Sequence, residues 1–384
     1  MAMGKALQRN VVAPGFRIVQ QTMAEMPAVR AFNERMRAAN AGADFLLADQ
    51  PNAVRAPGRP APPIEWTKYL VLDQDDEARG GFLLMTQPAW IGGAVTPVAN
   101  YQAPLSEGIT DSRFGMVGLH MLRHVQRQWP MAFVVGMGGM DRPLPRLLQA
   151  AGWTVNAVPF FFHIVSPGRV VRELRVLRKR PAVHLAARAA AMTGAAWAGV
   201  TALQWRSWTA GAPGGRVQLE RVDRWGPWAD TLWERTRDAS IFSVVRDRAT
   251  LDVLYPLDDR RYLAFAAHRG GDVVGWAVAL NTQMRDHSHF GNLRVATMLD
   301  AQALPDAAPA VAAAVRAELS AGDTDVIVTN QSHKIWTDAV RRAGFLSGPS
   351  NYLFAMSKPL AQAVSEAPAR VHVTRGDGDG RIHL

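Results

Sequence analysis

KYLVL at residues 68–72 and RYLAF at residues 261–265 decide how this chain is organised. Each is a short apolar run that reads as a strand. Their tyrosines, Tyr69 and Tyr262, stand 193 positions apart. Outward from this pair, the same order of elements unfolds twice. Upstream, FRIVQ (16–20) and VQLERV (217–222) read as strands. A helix follows each, with Val29, Phe32 and Met36 on one face of the first and Trp225, Trp228 and Leu232 at helical spacing in the second. Downstream, GGFLLM (80–85) matches VVGWAVAL (273–280). Between the second pair of strands, HRGGD (268–272) reads as a hairpin turn, where glycine accepts a positive φ. A long helix comes next in each half, at 118–129 and 309–319, then a short apolar strand, MAFVV (131–135) and DVIVT (325–329). A further amphipathic helix stops at Gly152-Trp153 in one half and at Gly344-Phe345 in the other, the glycine suiting the left-handed position that ends a helix. VPFFFHIV (158–165) and NYLFAM (351–356) close the halves. Gly152 and Gly344 are 192 apart, Ser166 and Ser357 191. A nearly constant offset across unlike elements marks an internal duplication.

The expected class is therefore α/β (α+β by some schemes), with two tandem domains that each hold a mixed twisted sheet flanked by helices. Their bounds are 1–166 and 213–360. A connector at 167–212 is basic and then alanine-rich, and the polar tail at 361–384 is expected to be disordered. A chain of 384 residues suits two domains. The Pro-rich stretch 51–63 reads as a loop that either covers a site or is disordered.

Composition narrows the function. With no cysteine, disulfides, thiolate zinc sites and cysteine nucleophiles are excluded. The net charge of +10 favours anionic partners. Zinc-finger spacing, an RRM signature and a clear helix-turn-helix are all missing, so no specific nucleic acid is expected. The first residues lack a signal-peptide apolar region, and a cytoplasmic home is the expectation. The connector (169–206) begins with RVVRELRVLRKRP, and its clean apolar run, 189–203, is shorter than the ~20 residues a membrane span needs. It reads as a helix packed between domains or as an amphipathic segment on an anionic membrane. The oligomeric state is left open.

DSRFGMVG (111–118) carries the main chemical signal. It lies between a strand-like stretch (98–105) and a helix start, where exposed backbone N–H groups and the helix dipole make a phosphate site. It resembles the pyrophosphate loop of the GNAT N-acyltransferase superfamily, Gln/Arg-x-x-Gly-x-Gly/Ala followed by a helix. Arg113 takes the first place and Gly118 the last, Met121 and Leu122 follow, and Met116 stands where the middle glycine belongs. The likeness covers roughly residues 16–166. It implies that Arg113, Phe114, Gly115, Met116, Val117 and Gly118 bind an acyl-CoA, acetyl-CoA in the first instance, as co-substrate. It also implies transfer to an amine, on a small molecule or an amino sugar. Glu107, just before the loop, is the candidate base, or else a solvated carboxylate. Tyr101 is the candidate acid, or else a packing residue. GMGGMD (136–141) gives room for the pantetheine arm, or is a plain loop in which Asp141 caps the next helix.

At the matching place the second half has LDAQALPDAAP (299–309), with no glycine and with Asp306 as a helix cap, so no CoA is expected there. Asn330, His333 and Tyr352, at strand ends, line an acceptor pocket or serve the structure. His120 and His124 have a metal-binding spacing but no third ligand, so no metal is expected. Tandem GNAT proteins are similar to those tied to bacterial cell-surface polysaccharide and to Fem-type ligases. The alternatives are accordingly an aminoacyl-tRNA-dependent transferase, or a degenerate pair that acts as a binding or scaffold module.

Overall fold

Apolar periodicity sets the elements, which appear in the expected order in a computed structural model describing residues 15–53, 61–174, 198 and 215–378. In the first half they are β1 (Arg17–Gln20), α1 (Met26–Ala38), β2 (Glu65–Leu72), β3 (Ala78–Ile91), β4 (Ala94–Ser106), α2 (Val117–Gln128), β5 (Ala132–Gly136), α3 (Pro143–Ala150), β6 (Thr154–Ala157), β7 (Phe160–Ile164) and α4 (Pro167–Glu173). In the second half they are β8 (Gln218–Val222), α5 (Trp228–Thr236), β9 (Phe242–Val244), α6 (Arg248–Leu254), β10 (Leu263–Arg269), β11 (Asp272–Gln283), β12 (Arg294–Ala303), α7 (Ala308–Ala321), β13 (Val326–Asn330), α8 (Lys334–Arg342), β14 (Leu346–Gly348), β15 (Leu353–Met356), α9 (Lys358–Ala363) and β16 (Val371–His372). Gly152 and Gly344 close α3 and α8 at φ 82° and 86°, left-handed as their places require. Ser166 and Ser357 both precede a helix, α4 and α9.

The two sheets repeat one strand order and exchange one strand. The first runs β1-β2-β3-β4-β5-β15-β6, with β9 and β16 beside it; the second runs β8-β10-β11-β12-β13-β7-β14. Strand β15, from the second half, lies antiparallel between β5 and β6, with Leu353 opposite Gly136 and Ala157. Reciprocally β7, from the first half, pairs with β13 from Val326↔Ile164 to Asn330↔Phe160, and with β14. Each closing stretch thus completes the other half's sheet. Ser357 locks one crossing: its hydroxyl donates to Pro130 O at 2.6 Å and accepts from Ala132 N–H at 3.2 Å.

By packing, the chain divides into two compact units: Met1–Pro60, Trp66–Met85 and Tyr101–Trp129, and Ala61–Glu65, Thr86–Asn100 and Pro130–Leu384. They do not follow the bounds 1–166 and 213–360: residues 61–65, 86–100 and 130–166 of the first half belong to the second unit. In the first unit, Val29, Phe32 and Met36 of α1 pack on Leu70, Leu72 and Ala78. In the second, Val311, Val315 and Leu319 of α7 and Trp336 and Val340 of α8 cover Ala277, Ala296, Met298 and Ile327.

The tail departs from expectation. Residues 361–378 are ordered: β16 pairs in parallel with β9, and Val371, Val373, Thr374 and Asp377 are buried. Thr374 and Asp377 form a reciprocal capping box. The Gly- and Asp-rich composition suggested disorder, but these polar side chains find buried partners. The connector residues 175–197 and 199–212, with Arg175, Arg178 and Arg180, lie outside the described residues, and so do loop residues 54–60. Among the described residues, no helix is long and apolar enough to cross a membrane.

Candidate functional site

In the first unit the loop between β4 and α2 is folded tightly on itself. A Cβ on Gly108 would sit 2.7 Å from Phe114 O, so only glycine fits. Asp111 caps one turn, accepting from Arg113 N–H at 3.0 Å, and its carboxylate holds the Arg113 guanidinium at 2.5 Å. The Arg113 side chain is 80% exposed. The loop enters α2 at Met116, which is exposed and supplies no side-chain cap to the helix start. An uncapped N-terminus of a 12-residue helix presents backbone N–H groups and positive dipole.

Glu107 is the pivot beneath this loop. Its buried carboxylate accepts from Arg35 Nε at 2.9 Å and from Arg79 Nη1 at 3.2 Å. Arg79 also pairs with Asp73 at 2.6 Å and lies 4.2 Å over the Phe114 ring. Both carboxylate oxygens of Glu107 are thus engaged by guanidinium groups. Tyr101 is buried edge-on to Phe82, and burial raises its pKa further above the ordinary phenol value. On the same strand, Ala103 has φ 42°, a left-handed residue inside β4. No sequence signal marks it, since alanine is not a residue that favours this conformation. His120 and His124 pack against Phe16, Tyr69 and Phe82.

The corresponding region of the second half, within the second unit, is closed. Asp306 does not cap α7; Ala307 holds that position with no side-chain bond, and Asp306 pairs with Arg269 at 2.8 Å. Strands β12 and β13 pair in parallel from Val295↔Val326 to Thr297↔Val328. Further along, the tail is bound to both: the Thr374 hydroxyl donates to Asp300 on β12 at 3.2 Å, and Thr374 bridges Gln331, the residue after β13. Asp300 accepts from Arg246 Nε at 2.6 Å and Tyr255 OH at 2.8 Å, and Arg246 Nη2 donates to Asp377 at 2.6 Å. Burial alone would draw the Arg246 pKa down; Asp300 and Asp377 raise it. At the end of β12 a cavity of about 20 Å³ remains, lined by Gln302, Ala303, His333, Trp336 and His372. It has room for about one water.

The three residues expected at an acceptor pocket lie in the second unit and are engaged by the structure. Asn330 Nδ2 donates to Val158 O at 3.1 Å. His333 caps α8, its Nδ1 accepting from Ile335 N–H at 3.1 Å while Nε2 meets Ala239 O at 3.1 Å. Burial lowers its pKa. Tyr352 OH donates to Thr374 O at 3.2 Å. Residues 136–139 form a left-handed run, with Met137 at φ 68°. Asp141 does not cap α3, whose N-cap is Arg142 in extended conformation. The sequence reading missed Arg246, Asp300, Arg375 and Asp377, whose partners are far apart in the chain.

No family model matches the chain, and no curated protein does. Solved structures do. A GCN5-related N-acetyltransferase from Anabaena variabilis is 11% identical, with 89% of this chain and 72% of that one covered and a TM-score of 0.51. A probable N-acyltransferase from Enterococcus faecalis is 10% identical, with 91% and 74% covered and a TM-score of 0.48. Saccharomyces cerevisiae N-myristoyltransferase with bound myristoyl-CoA is 9% identical, with 93% and 87% covered and a TM-score of 0.44. With the repeated strand order, the first of these gives the identification: this chain has the GNAT N-acyltransferase fold, laid out twice in tandem with the closing strands exchanged.

Proposed function

We propose that the chain is an acyl-CoA-dependent N-acyltransferase, acetyl-CoA being the simplest donor, and that its first copy takes the donor. The observation that carries this is the asymmetry of the copies. The start of α2 has an exposed Arg113 beside it, whereas the matching stretch 299–309 carries two acids, Asp300 bound by Thr374 of the tail and Asp306 just before α7. In this reading the N–H groups at the start of α2 and the Arg113 guanidinium hold the pyrophosphate. The left-handed Ala103 turns the β4 backbone so that an N–H is available to the thioester carbonyl. The acceptor's neutral amine nitrogen attacks that carbon. The C–N bond forms, the C–S bond breaks, and the thiolate leaves and takes up a proton. Glu107 serves this site by fixing Arg35 and Arg79, and removal of the ammonium proton falls to solvent or to the acceptor itself. The acceptor is a small-molecule amine.

Calorimetric titration with acetyl-CoA tests the reading. Wild type binds at micromolar affinity, and Gly118→Trp, with an unchanged circular dichroism spectrum, does not. Absence of wild-type binding would sink the proposal.

A further inference from the structure

Two arginines at the tail, Arg246 beside it and Arg375 within it, are treated in opposite ways. Arg246 meets the tail at Asp377 and has a second carboxylate in Asp300, each at 2.6 Å. Arg375, two residues before Asp377, has no carboxylate within ion-pair distance among the described residues. Its Nη1 donates to the neutral Asn330 Oδ1 at 3.3 Å. Its Nε is buried without an acceptor. The ring centre of Tyr352 lies 5.8 Å from the guanidinium carbon, a cation–π contact at the long end of the range. Burial draws the Arg375 pKa down to about 10. Asp377, two residues on, is already engaged: Oδ1 by Arg246 and Oδ2 by Thr374 N–H at 2.8 Å.

A buried guanidinium nitrogen without an acceptor is disfavoured unless something supplies one. The same Tyr352 ring flanks the end of β5, where a Cβ on Gly136 would lie 3.9 Å from Cε2. There the chain holds Met137 left-handed, a conformation kept at a cost and commonly found at ligand sites. Asn330, anchored through Nδ2, orients one edge of the guanidinium. A planar guanidinium recognises oxyanions through two parallel hydrogen bonds.

We propose that Arg375 recognises an oxyanion, the carboxylate or phosphate of a small-molecule ligand, in a site bounded by Asn330 and Tyr352. This does not depend on which donor the first copy takes.

The test is scanning calorimetry of the full chain in acetate, phosphate or chloride at constant ionic strength, on wild type, Arg375→Met and Arg375→Lys. At ten times the dissociation constant, acetate or phosphate raises the wild-type folded-to-unfolded ratio about elevenfold over chloride. Arg375→Met loses this response, and Arg375→Lys weakens it at least tenfold in affinity because the fork is gone. Which of the two anions acts distinguishes a carboxylate ligand from a phosphate. A wild type that responds to neither, or a Met variant that responds equally, overturns the proposal. So does a response that emerges only after Asp379→Asn or removal of residues 379–384, for then the chain's own carboxylate neutralises Arg375. Should Arg375→Met fail to fold, isothermal titration of wild type and Arg375→Lys with the same two anions decides in its place.

Discussion

Replacing Arg246 by methionine tests whether the tail truly closes the second half. Arg246, Asp300 and Asp377 are 1%, 0% and 2% exposed at their side chains. Methionine fills much of the same volume, so the cavity term is small and the electrostatic loss dominates. Removing one partner of a buried pair costs ~3–5 kcal/mol, because the other charge stays behind unpaired. Here two carboxylates lose their cation together, each from 2.6 Å, so the upper end, about 5 kcal/mol at pH 7, is expected. Urea unfolding followed by tryptophan fluorescence at pH 7 measures it. A deficit below about 1 kcal/mol, against the expected range, would refute the reasoning.

Two further outcomes follow from the fold. His163 is buried, and burial pushes its pKa down to about 4, so it stays neutral in the folded state while the unfolded chain protonates near 6.5. Stability present above ~6.5 is lost as pH falls towards 4; at pH 5 the loss is about 2 kcal/mol, and His163→Gln should remove it. Equal slopes between pH 7 and 5 for variant and wild type would exclude this. Because β7 and β15 are exchanged, residues 1–166 and 213–384 made separately each lack a sheet strand. Neither should show a cooperative thermal transition alone, and mixing them should restore one; a separate 1–166 fragment that melts cooperatively would contradict the exchange.

Much of the fold was legible because local patterns set local structure. The helical faces of Val29, Phe32 and Met36, the glycines at 152 and 344, and the paired serines at 166 and 357 each specify an element by short-range chemistry. The loop 111–118 was legible for the same reason: its glycines and its place before a helix are sequence-local facts. Glu107 and Tyr101 were visible as residues but not in their surroundings. The two guanidinium groups on Glu107 come from positions 35 and 79, and the ring against Tyr101 comes from position 82.

The sequence by itself therefore determined the duplicated order of strands and helices, the glycine-bearing loop before a helix in one copy, and the absence of that loop in the other. Only the tertiary structure decided which sheet each closing strand joins. VPFFFHIV and NYLFAM are both apolar and β-branched or aromatic enough to fit either edge, and backbone hydrogen bonding does not distinguish between them. It also decided that residues 371–378 are ordered. Their polar side chains are tolerable inside the protein only because Arg246, Asp300 and Gln331, brought from distant parts of the chain, supply the hydrogen bonds that water would otherwise make.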